Sequence, residues 1–247
     1  MSVIQRTGNP AFSEKIFANQ GFVAKEQAMT VQGTVNKTLM LFVLMIIPAY
    51  LVWSQFDPET PVVSPLTWVG LVGGLISALV VIFKPTTAAI GAPVYAIFEG
   101  MFLGGISVMF EMMYPGIAMQ AIALTFGTLF SMLFMYKSGM IKVTEKLRSG
   151  VMASTGAIFF VYMISWVMSF FGSSLPMIHQ GGMMGIGFSL LVIGIAAFNL
   201  LLDFDFIEKS ALRGSPKYME WLGAFGLMVT LVWLYMEFLR LLSKLRD

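Results

Sequence analysis

The chain has 247 residues, 57% of them hydrophobic and only 11% charged, with 15 Lys/Arg against 13 Asp/Glu and a net charge of +2. Soluble domains carry about a quarter charged residues, so a mean hydropathy of +0.83 excludes a water-exposed globule and the length leaves room for one compact bundle. With no cysteine and a single histidine, His179, the composition excludes disulfides, thiolate metal sites, Cys nucleophiles and a zinc or haem site built on histidine.

Met1 to Lys37 is polar, with Arg6, Lys15, Lys25 and Lys37 interspersed, and lacks the short apolar core of a signal peptide. It is predicted to be a mobile, soluble tail (residues 1–37) ending in one or two amphipathic turns, ahead of a membrane domain over residues 38–247. Thr38–Trp53 is the first apolar run and carries Pro48, which a membrane helix tolerates when neighbours satisfy the freed carbonyl. Ser54–Leu66 holds three prolines with Asp57 and Glu59 and reads as a loop. The second span, Thr67–Phe83, stops at Lys84-Pro85, and the third, Ala88–Met109, contains Glu99. Tyr114-Pro115-Gly116 turns the chain into the fourth span, Ile117–Tyr136.

Lys137–Arg148 reads as a basic connector. Val151–Phe171 is the fifth span, closed by Gly172–Pro176. The sixth, Met184–Ile207, runs into Asp203, Asp205 and Glu208, and the seventh, Leu222–Leu239, carries Glu237 near its end. Each run approaches or meets the roughly 17–25 residues that a transmembrane helix needs. The expected fold is therefore all-α: a polytopic membrane protein with seven transmembrane helices.

Twelve Lys/Arg fall in the tail and the alternate connectors on its side, against none in the three opposite loops. The positive-inside rule then places the N-terminus in the cytoplasm. Arg240, Lys244 and Arg246 follow the seventh span and break the rule if that helix crosses fully. Gly100 with Gly104, and Gly181 with Gly185, have the four-residue spacing of close helix approach. The 21 Met residues read as gap-filling apolar surface. Trp53, Trp68, Trp166 and Trp221 sit near span ends, as interfacial anchors do.

Four acids lie within these apolar stretches: Glu99, Asp203, Asp205 and Glu237. A charge at bilayer depth costs several kcal/mol, so such residues face a bundle interior or a watery cavity and mark candidate sites. Asn199 and Asp203 share a helix face, whereas Asp203 and Asp205 lie about 200° apart. Glu237 stands three residues before Arg240, which allows an intrahelical pair. Glu99 has no basic neighbour one turn away and is expected to be buried. Facing carboxylates in a low-dielectric interior share a proton, and they also offer hard oxygen ligands to Ca²⁺. Both properties suit transport. No Ser–His pairing, HExxH or phosphate-cradling glycine loop appears, so no enzyme activity is expected. Aspartate proteolysis would need two acids juxtaposed with a water, which the count alone allows.

The ending Trp221–Arg246 (WLGAFGLMVTLVWLYMEFLRLLSKLR), preceded by Leu200–Glu208 (LLLDFDFIE) and by Phe83–Gly104 with its APVYAIFEGMFLG stretch, resembles the Bax inhibitor-1 / transmembrane Bax inhibitor motif family, most closely its bacterial branch. The resemblance covers Lys37 to the end and implies a seven-helix bundle with a central last helix. It further implies a pH-sensitive Ca²⁺ leak in a bacterial inner membrane, with a proton-sensing carboxylate pair on the sixth and seventh helices and a basic latch at the end of the second. The sensor falls on Asp205, or on Asp203 with a two-residue shift, and on Glu237; the latch falls near Lys84. If Ca²⁺ binds, Asp205 and Glu237 are its expected ligands. Glu for the family's Asp adds a methylene, and Lys for Arg loses the bidentate fork.

The partners expected are lipid, calcium or another cation, and membrane proteins, with no cofactor and no nucleic acid. The alternative is a non-transporting regulator of stress or protein quality control, acting through cytoplasmic loops.

Overall fold

Thr30, Ser64 and Thr144 each cap a helix with the side-chain hydroxyl, which accepts a hydrogen bond from a first-turn N–H. The computed structural model describes residues 28–56, 64–171 and 182–246. Among them are seven long helices: α1 (Val31–Ser54), α2 (Pro65–Phe83), α3 (Ala88–Met113), α4 (Ile117–Lys137), α5 (Glu145–Phe170), α6 (Met183–Leu212) and α7 (Met219–Arg246). All seven are long and apolar enough to cross a membrane. The chain is an all-α, polytopic membrane protein. The first 27 residues of the expected tail, Asp57, Glu59, His179, the Gly172–Pro176 closure and Gly181 lie outside the described residues.

Punctuation residues set the boundaries. Pro65 occupies the first turn of α2, where its missing N–H costs nothing. Pro85 holds Lys84 out of the helical region (φ −131°, ψ 76°) and ends α2. Gly116 adopts φ +82° ahead of α4, a conformation that glycine reaches without strain.

The four largest differences from the boundaries expected from the sequence are these. α1 begins at Val31, two turns before Thr38, because Thr30 supplies the cap. α5 begins at Glu145, inside the stretch expected to be a connector: Thr144 caps it and Glu145 complements the helix dipole. Arg148 is consequently a buried helical residue, 2% exposed, not a loop cation. α6 continues to Leu212, so Asp203, Asp205, Glu208 and Lys209 are all helical. α7 continues to Arg246, and its 28 residues span about 42 Å at 1.5 Å per residue. That exceeds a hydrocarbon core of about 30 Å, so α7 is long enough to cross it with length to spare.

The described residues form two compact units. The first contains those up to Pro115 together with Asp205–Val229; the second contains Gly116–Phe204 and the residues from Thr230 onward. In the first unit α3 packs on α1 and α2. Gly100 and Gly104 permit the approach to α1, because a Cβ at Gly100 would lie 2.8 Å from the Pro48 ring and one at Gly104 would lie 2.9 Å from the Ala49 Cα. Phe225 meets Tyr95 edge-on at 5.0 Å, and Leu222, Ala224 and Met228 are fully buried. Glu220, also fully buried, accepts hydrogen bonds from the backbone N–H (2.9 Å) and hydroxyl (3.0 Å) of Thr30 and pairs with Lys37. Gly33 leaves the space its carboxylate fills. The starts of α1 and α7 are thereby clamped at one end.

In the second unit Leu231, Leu234, Phe238 and Leu239 of α7 are buried. Lys244 donates to the Gly185 carbonyl (3.1 Å) and the Ser189 hydroxyl (3.0 Å), and Arg246 donates to Gln120 (3.0 Å). The end of α7 is thus tied to the starts of α6 and α4. Of the most apolar 18 residues of α7, 83% are buried, against 17% for α5, which makes α7 the core helix. Leu39, Val43, Ile46, Phe159 and Phe160 are exposed; apolar surface on that scale requires lipid around it.

Candidate functional site

The second unit holds most of the site. Three helices of this unit place polar side chains at helical repeats: Thr155 and Tyr162 of α5 are seven apart, Asn199 and Asp203 of α6 four apart, Thr230 and Glu237 of α7 seven apart. Each spacing keeps both members on one face. The partners across the helices match. Asn199 donates to the Thr155 hydroxyl at 2.8 Å and to the Ile195 carbonyl at 3.0 Å. Thr230 donates to Asp203 Oδ2 at 2.6 Å, and Tyr162 donates to Glu237 Oε1 at 2.8 Å. Together they form a polar seam through otherwise apolar helices.

Glu237 is the most enclosed acid of this seam, together with Asp203; each is 1% exposed. Besides Tyr162, Arg240 reaches Glu237 Oε1 at 2.9 Å, as the i, i+3 spacing allows. The Arg240 guanidinium also lies over the Tyr162 ring, 4.9 Å from its centroid. Glu237 Oε2 is buried with no hydrogen-bond partner among the described residues. A buried carboxylate oxygen left in this way is costly.

The other expected site residues belong to the first unit. Asp205, 5% exposed, pairs with Lys209 one turn on at 2.8 Å. Glu99, 9% exposed, points at α2, where a Cβ on Gly74 would sit 3.0 Å from its Oε2. Tyr95, one turn earlier on α3, hydrogen-bonds with it, and no described residue forms an ion pair with it. Lys84 caps α2 with an exposed side chain and makes no ion pair among the described residues. Among the described residues, no three His, Asp or Glu side chains converge as a metal site would require. Sequence reading missed Tyr162, Thr155, Thr230 and Glu220; the seven-residue spacing of Thr155 with Tyr162 was the available signal for the first two.

A family model described as Bax inhibitor 1 like matches residues 9–247. The chain belongs to that family. The match spans nearly the whole chain, including the helices that carry the seam, and it makes this an integral membrane protein of the Bax inhibitor 1 like family. No curated protein matches the chain.

Proposed function

We propose that this Bax inhibitor 1 like protein is a pH-sensitive cation leak with Ca²⁺ as the transported ion, gated by carboxylates on its sixth and seventh helices. The observation that carries this reading is Glu237: enclosed in the seam, held through one oxygen by Tyr162 and Arg240, with the second oxygen unpartnered. An enclosed carboxylate with one oxygen unpartnered has that oxygen to offer to a passing cation. Of the two aspartates that the resemblance allows, Asp203 belongs to the same unit as Glu237. The sensor in this reading is therefore Asp203 with Glu237, with Asp205 as the rival that mutation distinguishes.

Calcium takes six to eight oxygen ligands in a resident site, so a seam of isolated carboxylates suits a transient ion better than a stored one. We further propose a bacterial inner-membrane location with a cytoplasmic N-terminus, on the one-sided distribution of Lys and Arg. Purified protein in liposomes, assayed for Ca²⁺ entry across a pH series, tests the function. Entry that rises with pH is expected. Entry no faster than in empty liposomes at every pH would overturn it.

A further inference from the structure

Arg240 differs from an ordinary surface partner in what it is bound to. Its own side chain is 35% exposed, yet the carboxylate it holds is 1% exposed. Among the described residues, the charged and titratable groups that bear on Glu237 are Tyr162 from α5 and, on α7 itself, Arg240 and Lys244. Lys244 is anchored elsewhere, its three donors engaged in part by the Gly185 carbonyl and the Ser189 hydroxyl of α6. Arg240 is therefore the group that neutralises Glu237 directly. Because it stands one turn further along a helix that Glu237 also occupies, its long side chain can swing away toward solvent without moving the backbone. Tyr162 supplies the seat: its hydroxyl fixes the carboxylate and its ring carries the guanidinium.

We propose that Arg240 is a tethered blocking cation, which through Oε1 neutralises the Glu237 carboxylate that a passing cation would need, with Tyr162 holding both in register. The inference rests on the reading that Glu237 lies on the cation path. The carboxylate meets either the guanidinium or the mobile ion, so the leak is closed while Arg240 is seated. A guanidinium is suited to this role because one N–H meets Oε1 while its planar, delocalised face stacks on the Tyr162 ring. This device belongs to α5 and α7 alone and does not require Lys84.

The test uses the full chain in liposomes at one fixed pH, with Ca²⁺ entry followed by a trapped indicator. Arg240→Gln is expected to raise entry several-fold over wild type, and Arg240→Lys to fall between them. The double variant Arg240→Gln with Glu237→Gln should return to the wild-type rate or below, since no carboxylate remains to be unblocked. Wild-type entry in Arg240→Gln would overturn the blocking role, as would a double variant that leaks as fast as Arg240→Gln, the mark of a loosened bundle. Glu237→Gln alone separates the two readings: if it changes entry while Arg240→Gln does not, the path through Glu237 stands and the block fails. Silent wild type with a conducting Arg240→Gln supports the block, and silence in both overturns it. If Arg240→Gln does not accumulate, Tyr162→Phe replaces it. That variant keeps the ring and loses the donor, and a rate equal to wild type would count against the proposal.

Discussion

The Thr230 hydroxyl donates to Oδ2 of Asp203 at 2.6 Å, joining α7 to α6 through a buried bond to a carboxylate. Hydrogen bonds to charged groups contribute about 1.5–3 kcal/mol, and more is lost when the partner is left buried and unpaired. Thr230→Val, which keeps the shape and removes the donor, is therefore expected to destabilise the protein by about that amount. Thr230→Ser should retain most of the stability. Unfolding in detergent, followed by helical content, measures both. Equal stability of the Val and Ser variants would show that the bond contributes little.

The clamp between the starts of α1 and α7 makes a second prediction. Glu220 is fully buried and satisfies Thr30 and Lys37 together. Glu220→Ala leaves Lys37 and the Thr30 N–H without their acceptor, at a cost of about 1.5–3 kcal/mol. Gly33→Leu should be worse than Glu220→Ala, because the carboxylate already fills the space a side chain would take. Gly127→Ala, where a Cβ meets nothing within 4 Å, is the neutral control. Protease susceptibility in the region of α1 reads the loss of the clamp, and wild-type resistance in Gly33→Leu would contradict the packing.

How far the sequence reveals these features depends on their range. Lys84-Pro85 and Tyr114-Pro115-Gly116 announce helix ends because proline and glycine act on the backbone within a residue or two. The Glu237–Arg240 pair was legible for the same reason, since three residues on a helix fix the distance. Tyr162 lies 75 residues from Glu237, and Lys37 lies 183 from Glu220. Such partners depend on how helices dock, which local periodicity does not encode. Arg148 was misjudged because a run of basic residues resembles a loop, while the capping signal of Thr144 and Glu145 sits within that same run. Burial of Glu99 followed from its apolar neighbours alone, but the gap that receives it comes from Gly74 on another helix.

Topology follows from α7. Its start is clamped to the start of α1, and its length exceeds the hydrocarbon core, so its two ends are expected on opposite sides of the membrane. Single cysteines in place of Lys25 and Lys142 should resist an impermeant thiol reagent applied to intact cells. Those in place of Asp57, His179 and the exposed Leu245 should react. The native chain has no cysteine to confuse the result. Labelling at position 142 from outside would invert the assignment, and protection at position 245 would show that α7 does not cross.

Glu99 sits between α3 and α2 as a hydrogen-bonding group: Tyr95 is its polar neighbour, Gly74 faces its oxygen, and no described cation pairs with it. Glu99→Gln preserves shape and hydrogen bonding and should insert and accumulate normally. Glu99→Lys adds a longer, charged side chain at a position where a cation costs about 2.5–3.5 kcal/mol by insertion scales. Its yield in membranes should collapse. Stable accumulation of the Lys variant would mean that the site is wet.

The seam itself makes the last prediction, which concerns pH. Asp203 and Glu237 are both buried and both within the second unit. In the proposed gate the combined negative charge of the two acids draws cations in, and a dependence of entry on pH is its signature. Calcium entry should therefore rise with pH along a macroscopic titration that belongs to the coupled groups rather than to one residue. Asp203→Asn and Glu237→Gln each remove one ionisation and should flatten the rise. Asp205→Asn removes a carboxylate that pairs with Lys209 and makes none of the seam's hydrogen bonds described above, so its profile should follow wild type. A flattened profile in Asp205→Asn with a normal one in Asp203→Asn would move the sensor by two residues, onto the opposite side of α6. Identical profiles in wild type and all three variants would remove the carboxylates from any gate and favour a membrane regulator that conducts nothing.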